Sequence, residues 1–99
     1  MEILLREDFE PHLNQPFTIS RPSGGVKAQL VEVTPLGKPS RPSAGVREPF
    51  SLLFQADSNY GMLDQGLYSV SNPSLGVKTL FLVPVGRKEN HYQYEAIFN

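Results

Sequence analysis

Six short segments in which apolar and polar residues alternate constrain the fold more than any other feature of this sequence. Successive side chains of a β-strand point to opposite faces, so a period of two predicts strands rather than helices. The segments are also rich in the β-branched and aromatic residues that are typical of strands. In chain order they read PFTISR, GGVKAQLVEVTP, PFSLLFQAD, GLYSVSN, VKTLFLVPV and YQYEAIF.

The connections between these segments indicate antiparallel pairing. Ser23–Gly25 and Gly86–His91 resemble hairpin loops, whereas a crossover to a parallel strand needs a dozen or more residues and usually a helix. The helical period is visible only around Asp8–Leu13, where Asp8 could cap one turn that carries Phe9. We therefore predict an all-β single domain over residues 1–99, built as a six-stranded antiparallel small barrel or compact sandwich with a short N-terminal helical turn.

Two irregularities and a core are also predicted. The apolar alternation changes phase near Leu30, which indicates a β-bulge, and Pro84 marks a strand end, an edge or a second bulge. The predicted core consists of Phe17, Ile19, Leu30, Val33, Phe50, Leu52, Phe54, Tyr68, Val70, Leu80, Leu82, Tyr94 and Phe98.

Two strands carry no charge and a high β propensity, namely FSLLFQA and TLFLVPV. The second is apolar on both faces, which predicts a central strand that is covered on both sides. Uncharged strands of this kind associate with other chains when they form an open edge, so a homo-oligomer is one expectation.

Composition excludes several classes of protein. The chain has no cysteine, so disulfides, thiol nucleophiles and cysteine-held zinc are impossible. Nine basic against ten acidic residues give a net charge of −1, which argues against non-specific nucleic-acid binding. Ile3–Leu5 is too short for the apolar part of a secretory signal, and no run approaches the about 18 apolar residues of a membrane helix. We expect a soluble, cytoplasmic protein.

The segment from Thr34 to Pro49 differs from the rest of the chain. It contains four prolines and two glycines, and its basic residues are Lys38, Arg41 and Arg47. Long loops in small domains are either tolerated insertions or functional segments. The functional interpretation is that Lys38, Arg41 and Arg47 dock a partner protein.

Asp64-Gln65-Gly66 raises the question of a catalytic site. Asp57 and Tyr68 are the groups that could accompany Asp64, and acid–base chemistry needs such a second group. An aspartate followed by glycine before an alternating segment is also an ordinary turn signal. We favour the turn, and we keep weak hydrolase activity around these three residues as an alternative.

No other motif predicts chemistry. His12 and His91 lie in no metal-ligand spacing, and no metal or cofactor is expected. RPSGG and RPSAG lack the glycine that precedes the serine of a hydrolase elbow. In the last hairpin, Arg87, Lys88 and Tyr92 resemble an oligonucleotide surface, but Glu89 and Glu95 interrupt it, so nucleic acid is an unlikely partner.

A set of ordered blocks resembles a family of small bacterial single-domain proteins of unknown function. The blocks are REPFSLLF at Arg47–Phe54, LDQGLYSV at Leu63–Val70, LFLVPVG at Leu80–Gly86 and YEAIFN at Tyr94–Asn99, with FEPHLNQPF at Phe9–Phe17 before them. The resemblance implies a bacterial source and an association with phage-tail-like genes. It supplies no catalytic residues.

Together these observations predict a structural or interaction protein of the adaptor type, and an enzyme is the less favoured interpretation. The resemblance suggests an accessory of a phage-tail-like assembly. The alternative is a small-molecule-binding β-barrel, which requires a cavity inside the barrel.

Overall fold

The computed structural model describes residues 4–36 and 49–98, and the statements below concern those residues. The chain begins with helix α1 (Arg6–Phe9) and a 3₁₀ turn (Glu10–His12), and a second 3₁₀ turn (Ser58–Tyr60) lies between strands. The strands are β1 (Pro16–Ile19), β2 (Val26–Pro35), β3 (Phe50–Asp57), β4 (Gly66–Asn72), β5 (Gly76–Lys88) and β6 (His91–Phe98).

The six strands form a closed barrel in the order β1-β2-β3-β6-β5-β4, and every neighbouring pair is antiparallel. This confirms the predicted fold class and decides for the barrel over the sandwich. The chain forms one meander of β1 to β3 and a second of β4 to β6. The link through the Ser58–Tyr60 turn joins them. The two uncharged segments lie within β3 and β5, and each of these strands has a neighbour on both sides, as expected.

Both predicted irregularities are present as shifts of strand register. One shift lies between Leu30 and Glu32 in the β2–β3 pair, and the other lies between Pro84 and Gly86 in the β5–β6 pair. The first shift returns Val33 to a position opposite Leu52, on the core side of the barrel. Because an extra residue resets the alternation, a change of phase in the sequence is a reliable sign of a bulge.

The barrel interior is filled by large side chains. The ring of Phe54 meets that of Phe17 edge-on, with a centroid distance of 5.3 Å, and both are buried. Most of the predicted core is confirmed, while Val33, Tyr68 and Phe98 are only partly buried and pack against the margin of the core. The buried apolar residues that the prediction missed are Phe9, Val26, Ala28, Ala56, Leu63 and Ala96.

The N-terminal helical turn closes one end of the barrel. Phe9 is fully buried beneath it, 6.0 Å from the ring of Phe50 and 5.7 Å from that of Phe98. The turn begins earlier than predicted. Asp8 is not the N-cap; it lies in the first turn, and its carboxylate accepts a hydrogen bond of 2.8 Å from the N–H of Leu5, which is the N-cap.

Two connections differ from the predicted boundaries. Strand β2 continues to Pro35, two residues into the segment that was predicted to be a loop, and the Leu36 N–H donates to the Pro49 carbonyl at 2.9 Å. Lys38, Arg41 and Arg47 lie outside the described residues. The last hairpin is tighter than Gly86–His91, because β5 runs to Lys88 and β6 begins at His91.

Candidate functional site: a polar groove and an apolar strip

A polar groove of about 340 Å³ crosses the outer surface of β2 and β3. Its lining combines amide, carboxylate, ammonium, imidazole and phenol groups, which hydrogen-bond to ligands, with two small residues and a proline. The lining residues are Asn14, Pro16, Lys27, Ala28, Gln29, Gln55, Ala56, Asp57, Tyr60 and His91.

Strand register sets the positions of the polar side chains in the groove. Gln29 of β2 is directly opposite Gln55 of β3, and Asp57 of β3 is directly opposite His91 of β6. Between these two rows lies the Ala28–Ala56 pair, whose side chains are buried on the inner face. The floor of the groove is therefore strand backbone. Most of its polar side chains come from the outward positions of three adjacent strands, while Asn14 and Tyr60 come from the segments beside them.

Hydrogen bonds hold one wall of the groove to the barrel. Asn14 has a positive φ of 68°, and its N–H donates to the Leu30 carbonyl at 2.6 Å. The Asn14 carbonyl accepts a hydrogen bond of 3.1 Å from Nε2 of Gln29. These two bonds fix the segment before β1 against β2, beside Pro16.

The opposite wall is the 3₁₀ turn that ends at Tyr60. Asp57 caps this turn, since its Oδ1 accepts a hydrogen bond of 2.8 Å from the Asn59 N–H. Arg21 holds the turn from the other side, because its Nη1 donates to the Tyr60 carbonyl at 2.8 Å and its guanidinium lies 5.8 Å from the centroid of the Tyr60 ring. Tyr60 is therefore fixed before any ligand arrives.

Three polar side chains of the groove have unused hydrogen-bonding capacity. Within residues 4–36 and 49–98, the structure shows no hydrogen bond or ion pair for the side chains of Lys27, Gln55 and His91. An ammonium, an amide and an imidazole together offer both donors and acceptors. The groove can therefore bind a polar ligand without first breaking contacts within the protein.

The predicted catalytic group of Asp57, Asp64 and Tyr68 is divided between two places. Asp57 lines the groove, while the Tyr68 hydroxyl donates to the backbone carbonyl of Asp64 at 2.6 Å. Strand β4 starts at Gly66, so Asp64-Gln65-Gly66 is the turn before a strand, as favoured. In the described part of the chain, no hydrogen bond joins Asp57 to the other two residues.

The histidines and the hairpin aromatics also have defined environments. Nδ1 of His12 lies 2.9 Å from Oε1 of Gln15, and His91 lines the groove.

The described residues contain no group of three potential metal ligands, nor a helix that is both long and apolar enough to cross a membrane. The guanidinium of Arg87 lies over the ring of Tyr92, 5.6 Å from its centroid, so this aromatic face is already covered.

A second surface feature is an apolar strip on the outer face of β4, β5 and β6, which consists of Leu67, Phe81 and Ile97. Leu67 is directly opposite Phe81, and Ile97 is the outward residue of β6 two positions beyond Glu95, where the pairing of β6 with β5 ends. The exposed fractions of these residues are 70%, 48% and 55%. The prediction that β5 is covered on both faces is therefore wrong for the outer face within this chain.

The fold and these two surfaces define a small, closed, antiparallel β-barrel protein with a filled interior, whose candidate sites lie on its outer surface. A comparison of the sequence with known families then identifies the family of the protein. Residues 4–98 match the model of the domain of unknown function DUF6916, and the chain belongs to that family. The expected membership in a small family of unknown function is thereby confirmed. No curated protein and no solved structure matches the chain.

Proposed function

We propose that this protein is a structural or interaction protein of the adaptor type, which binds another protein through the apolar strip. The observation that supports this function is the exposed pair of Leu67 and Phe81 on β4 and β5, with Ile97 exposed on β6, the next strand of the barrel. Single exposed apolar residues are common on protein surfaces, whereas contiguous apolar patches mark interaction sites.

The surroundings of the strip fit an interface. Ser69 follows Leu67 at the next outward position of β4, and it pairs with Thr79, which is also exposed. An apolar centre with polar neighbours is the usual anatomy of a protein interface. An aromatic side chain at the centre, here Phe81, is the type of residue that anchors such contacts. Covering this surface contributes roughly 25 cal/mol per Å² of apolar area removed from water.

The strip is tested by the double variant Leu67→Ser/Phe81→Ser, with Val77→Ser as the matched control. Val77 is also an exposed apolar residue of β5 but lies outside the strip. Tagged proteins are incubated with lysate of the source organism, and captured proteins are quantified by mass spectrometry. We expect the double variant to remain folded and to lose a partner that the wild type and Val77→Ser both capture.

Equal capture by the double variant and the control would reject the strip as the docking surface. Light scattering on the same three proteins tests the homo-oligomer that the sequence suggests. A wild-type dimer that becomes monomeric only in the double variant would identify the partner as a second copy of this chain.

The basic segment is a second, separate docking proposal. The charges of Lys38, Arg41 and Arg47 suggest an acidic partner surface, and their contribution should weaken as salt screens it. Replacing all three with Ser is expected to leave the melting temperature unchanged and to reduce partner capture at low salt. Capture that is unaffected at every salt concentration would remove these residues from the docking surface.

We propose a component of a phage-tail-like assembly as the partner, and this proposal is supported by the family resemblance alone. It requires that the captured proteins include tail or baseplate components at a fixed ratio to the bait. An adaptor needs exposed docking surfaces, and Leu67 and Phe81 provide one.

The alternative function is binding of a small molecule. One observation favours it, namely the polar groove with its unused hydrogen-bonding groups. The predicted place for the ligand was the barrel interior, where Phe17, Phe54 and Tyr94 are buried. Because the groove lies on the outer surface, the small molecule of this alternative would bind there and not inside the barrel. Hydrolase activity around Asp57, Asp64 and Tyr68 has no comparable support.

A further inference from the structure

We propose that the polar groove is a binding site for a neutral saccharide. Its volume of about 340 Å³ falls within the range of small-ligand sites and is suited to one or two sugar rings. This proposal is independent of the adaptor function, because no residue is shared: the groove takes His91 from the start of β6, whereas the apolar strip takes Ile97 from its end and its other residues from β4 and β5.

The hydrogen-bonding groups of the groove match those of sugar hydroxyls. A hydroxyl donates one hydrogen bond and accepts others, and a glutamine amide likewise does both. Gln55 has its whole amide free, and Gln29 retains its Oε1 because only its Nε2 is bound to Asn14. The two amides are directly opposite each other, so neighbouring hydroxyls of one ring can reach both.

The charges of the groove favour a ligand without net charge. Lys27 carries a positive charge, and Asp57 carries a negative one. An anionic ligand would be attracted by Lys27 but repelled by Asp57, and a cationic one the reverse, so a net charge gains little in a groove that holds both groups. A neutral polyhydroxyl ligand can instead donate to the carboxylate and accept from the ammonium.

The walls supply the apolar contact that the carbon face of a sugar ring needs. Pro16 and Tyr60 both line the groove, and because the Arg21 guanidinium lies over one face of the Tyr60 ring, the sugar would use the other face. Both are held in advance, Pro16 as the first residue of β1 and Tyr60 through the hydrogen bond from Arg21. A site that is fixed before binding loses less conformational entropy when the ligand binds.

The test is a titration of ¹⁵N-labelled protein with glucose, N-acetylglucosamine and maltose, followed by amide chemical shifts. We expect at least one of these sugars to shift the amides of Lys27–Gln29 and Gln55–Asp57 with a Kd of about 1 mM, as suits a small open site. Gln55→Leu is expected to weaken this binding about tenfold, because it removes the free amide.

Gln93→Leu is the matched control. Gln93 is the β6 neighbour of Gln55 in the same outward row, but it does not line the groove. The control should bind the sugar with the wild-type affinity, and the spectrum of each variant reports directly whether it is folded. If Gln55→Leu does not fold, Lys27→Ala at an exposed position replaces it, with the same expected loss of affinity.

Three results would overturn the proposal: no shift with any of the three sugars, shifts that map outside the groove, or equal weakening by Gln55→Leu and Gln93→Leu. Phosphate and glutamate serve as charged probes, and shifts of the groove amides by either probe but by no sugar would assign a charged ligand instead. The Leu67→Ser/Phe81→Ser variant should bind the sugar normally, so failure of the groove and failure of the apolar strip are distinguishable.

Discussion

Phe54→Ala is expected to lower the free energy of unfolding by about 3–5 kcal/mol, which is the usual cost of replacing a buried phenylalanine. Phe54 has no exposed surface, and its ring is 5.3 Å from that of Phe17. Its strand neighbours are Leu30 on β2 and Tyr94 on β6, both of which are buried. With neighbours on both sides held in strands, the structure cannot readily collapse into the space that the ring leaves.

Urea denaturation measures this loss, and Phe81→Ala is the matched control. Phe81 is the same residue type on the outer face of β5, where about half of it is exposed. Removing it should lower the free energy of unfolding by about 1 kcal/mol or less, since only its cross-strand contact with Leu67 is lost. If both variants lost the same stability, the assignment of inner and outer faces would be wrong.

The second large effect is expected from Tyr94→Phe. The Tyr94 hydroxyl oxygen accepts a hydrogen bond of 2.9 Å from the Leu63 N–H, and both residues are buried. Removing the hydroxyl leaves this N–H without an acceptor inside the protein, which costs about 1–3 kcal/mol. The same deletion at Tyr68, whose hydroxyl bond is exposed to solvent, is the control and should cost less.

Tyr94 should also make the stability depend on alkaline pH. Burial raises the pKa of Tyr94 above its ordinary value, and the hydrogen bond from Leu63 only partly opposes this effect. An unfolded tyrosine loses its proton near pH 10, so the unfolded chain releases this proton before the folded one does. The contribution of Tyr94 to stability is therefore complete below about pH 10 and is lost as the pH rises through the folded pKa.

Thermal melts of the wild type and Tyr94→Phe between neutral pH and pH 11 would measure this effect. Over the alkaline part of this range, the melting temperature of the wild type should fall further than that of Tyr94→Phe, because the variant has no hydroxyl to ionise at this position. Parallel pH profiles for the two proteins would mean that the ionisation of Tyr94 is not linked to folding.

The strands and bulges were predictable because their signals are local. The period of two is readable within one segment, and the phase change at Leu30 directly reflects an extra residue in β2. Closure of the barrel was not predictable, because a sandwich buries the same face of each strand. It depends on the pairing of Ile19 with Val70, and nothing near either residue in the sequence indicates its distant partner.

The core residues that the sequence analysis missed show a second limit of predicting a fold from local sequence patterns. Phe9 lies in a one-turn helix and Leu63 in the link between the two meanders, where neither the helical nor the strand period operates. In β5 the error has another cause. A strand that is apolar on both faces indicates that both faces avoid water, but it does not say whether this chain or another molecule covers them.

The groove could not be predicted because it is assembled from four separate parts of the chain. Each contributes ordinary polar residues, such as Asn14, Gln55 and His91, which have no motif spacing. The one sign of the groove in the sequence was that Gln29 and Gln55 both occupy outward positions of their strands. That they are neighbours becomes clear only once the register of β2 and β3 is known. Asp57 was singled out in the sequence for a different reason, and of its expected companions Tyr68 donates its hydroxyl to the backbone carbonyl of Asp64 instead.

The pairing of β1 with β4 gives the barrel one joint that is weaker than the others. Strand β1 has four residues, and the joint has two registered pairs, Thr18–Ser71 and Ile19–Val70, whereas β3 and β6 share eight. A local fluctuation that separates these two pairs, and with them the hydrogen bonds from the Ser20 N–H to the Ser69 carbonyl and from the Asn72 amide to the Pro16 carbonyl, turns the closed cylinder into an open sheet while the other strand pairs stay intact. The released edges of β1 and β4 then offer unpaired backbone groups to any passing strand, so the folded barrel has a route to strand exchange that does not require global unfolding.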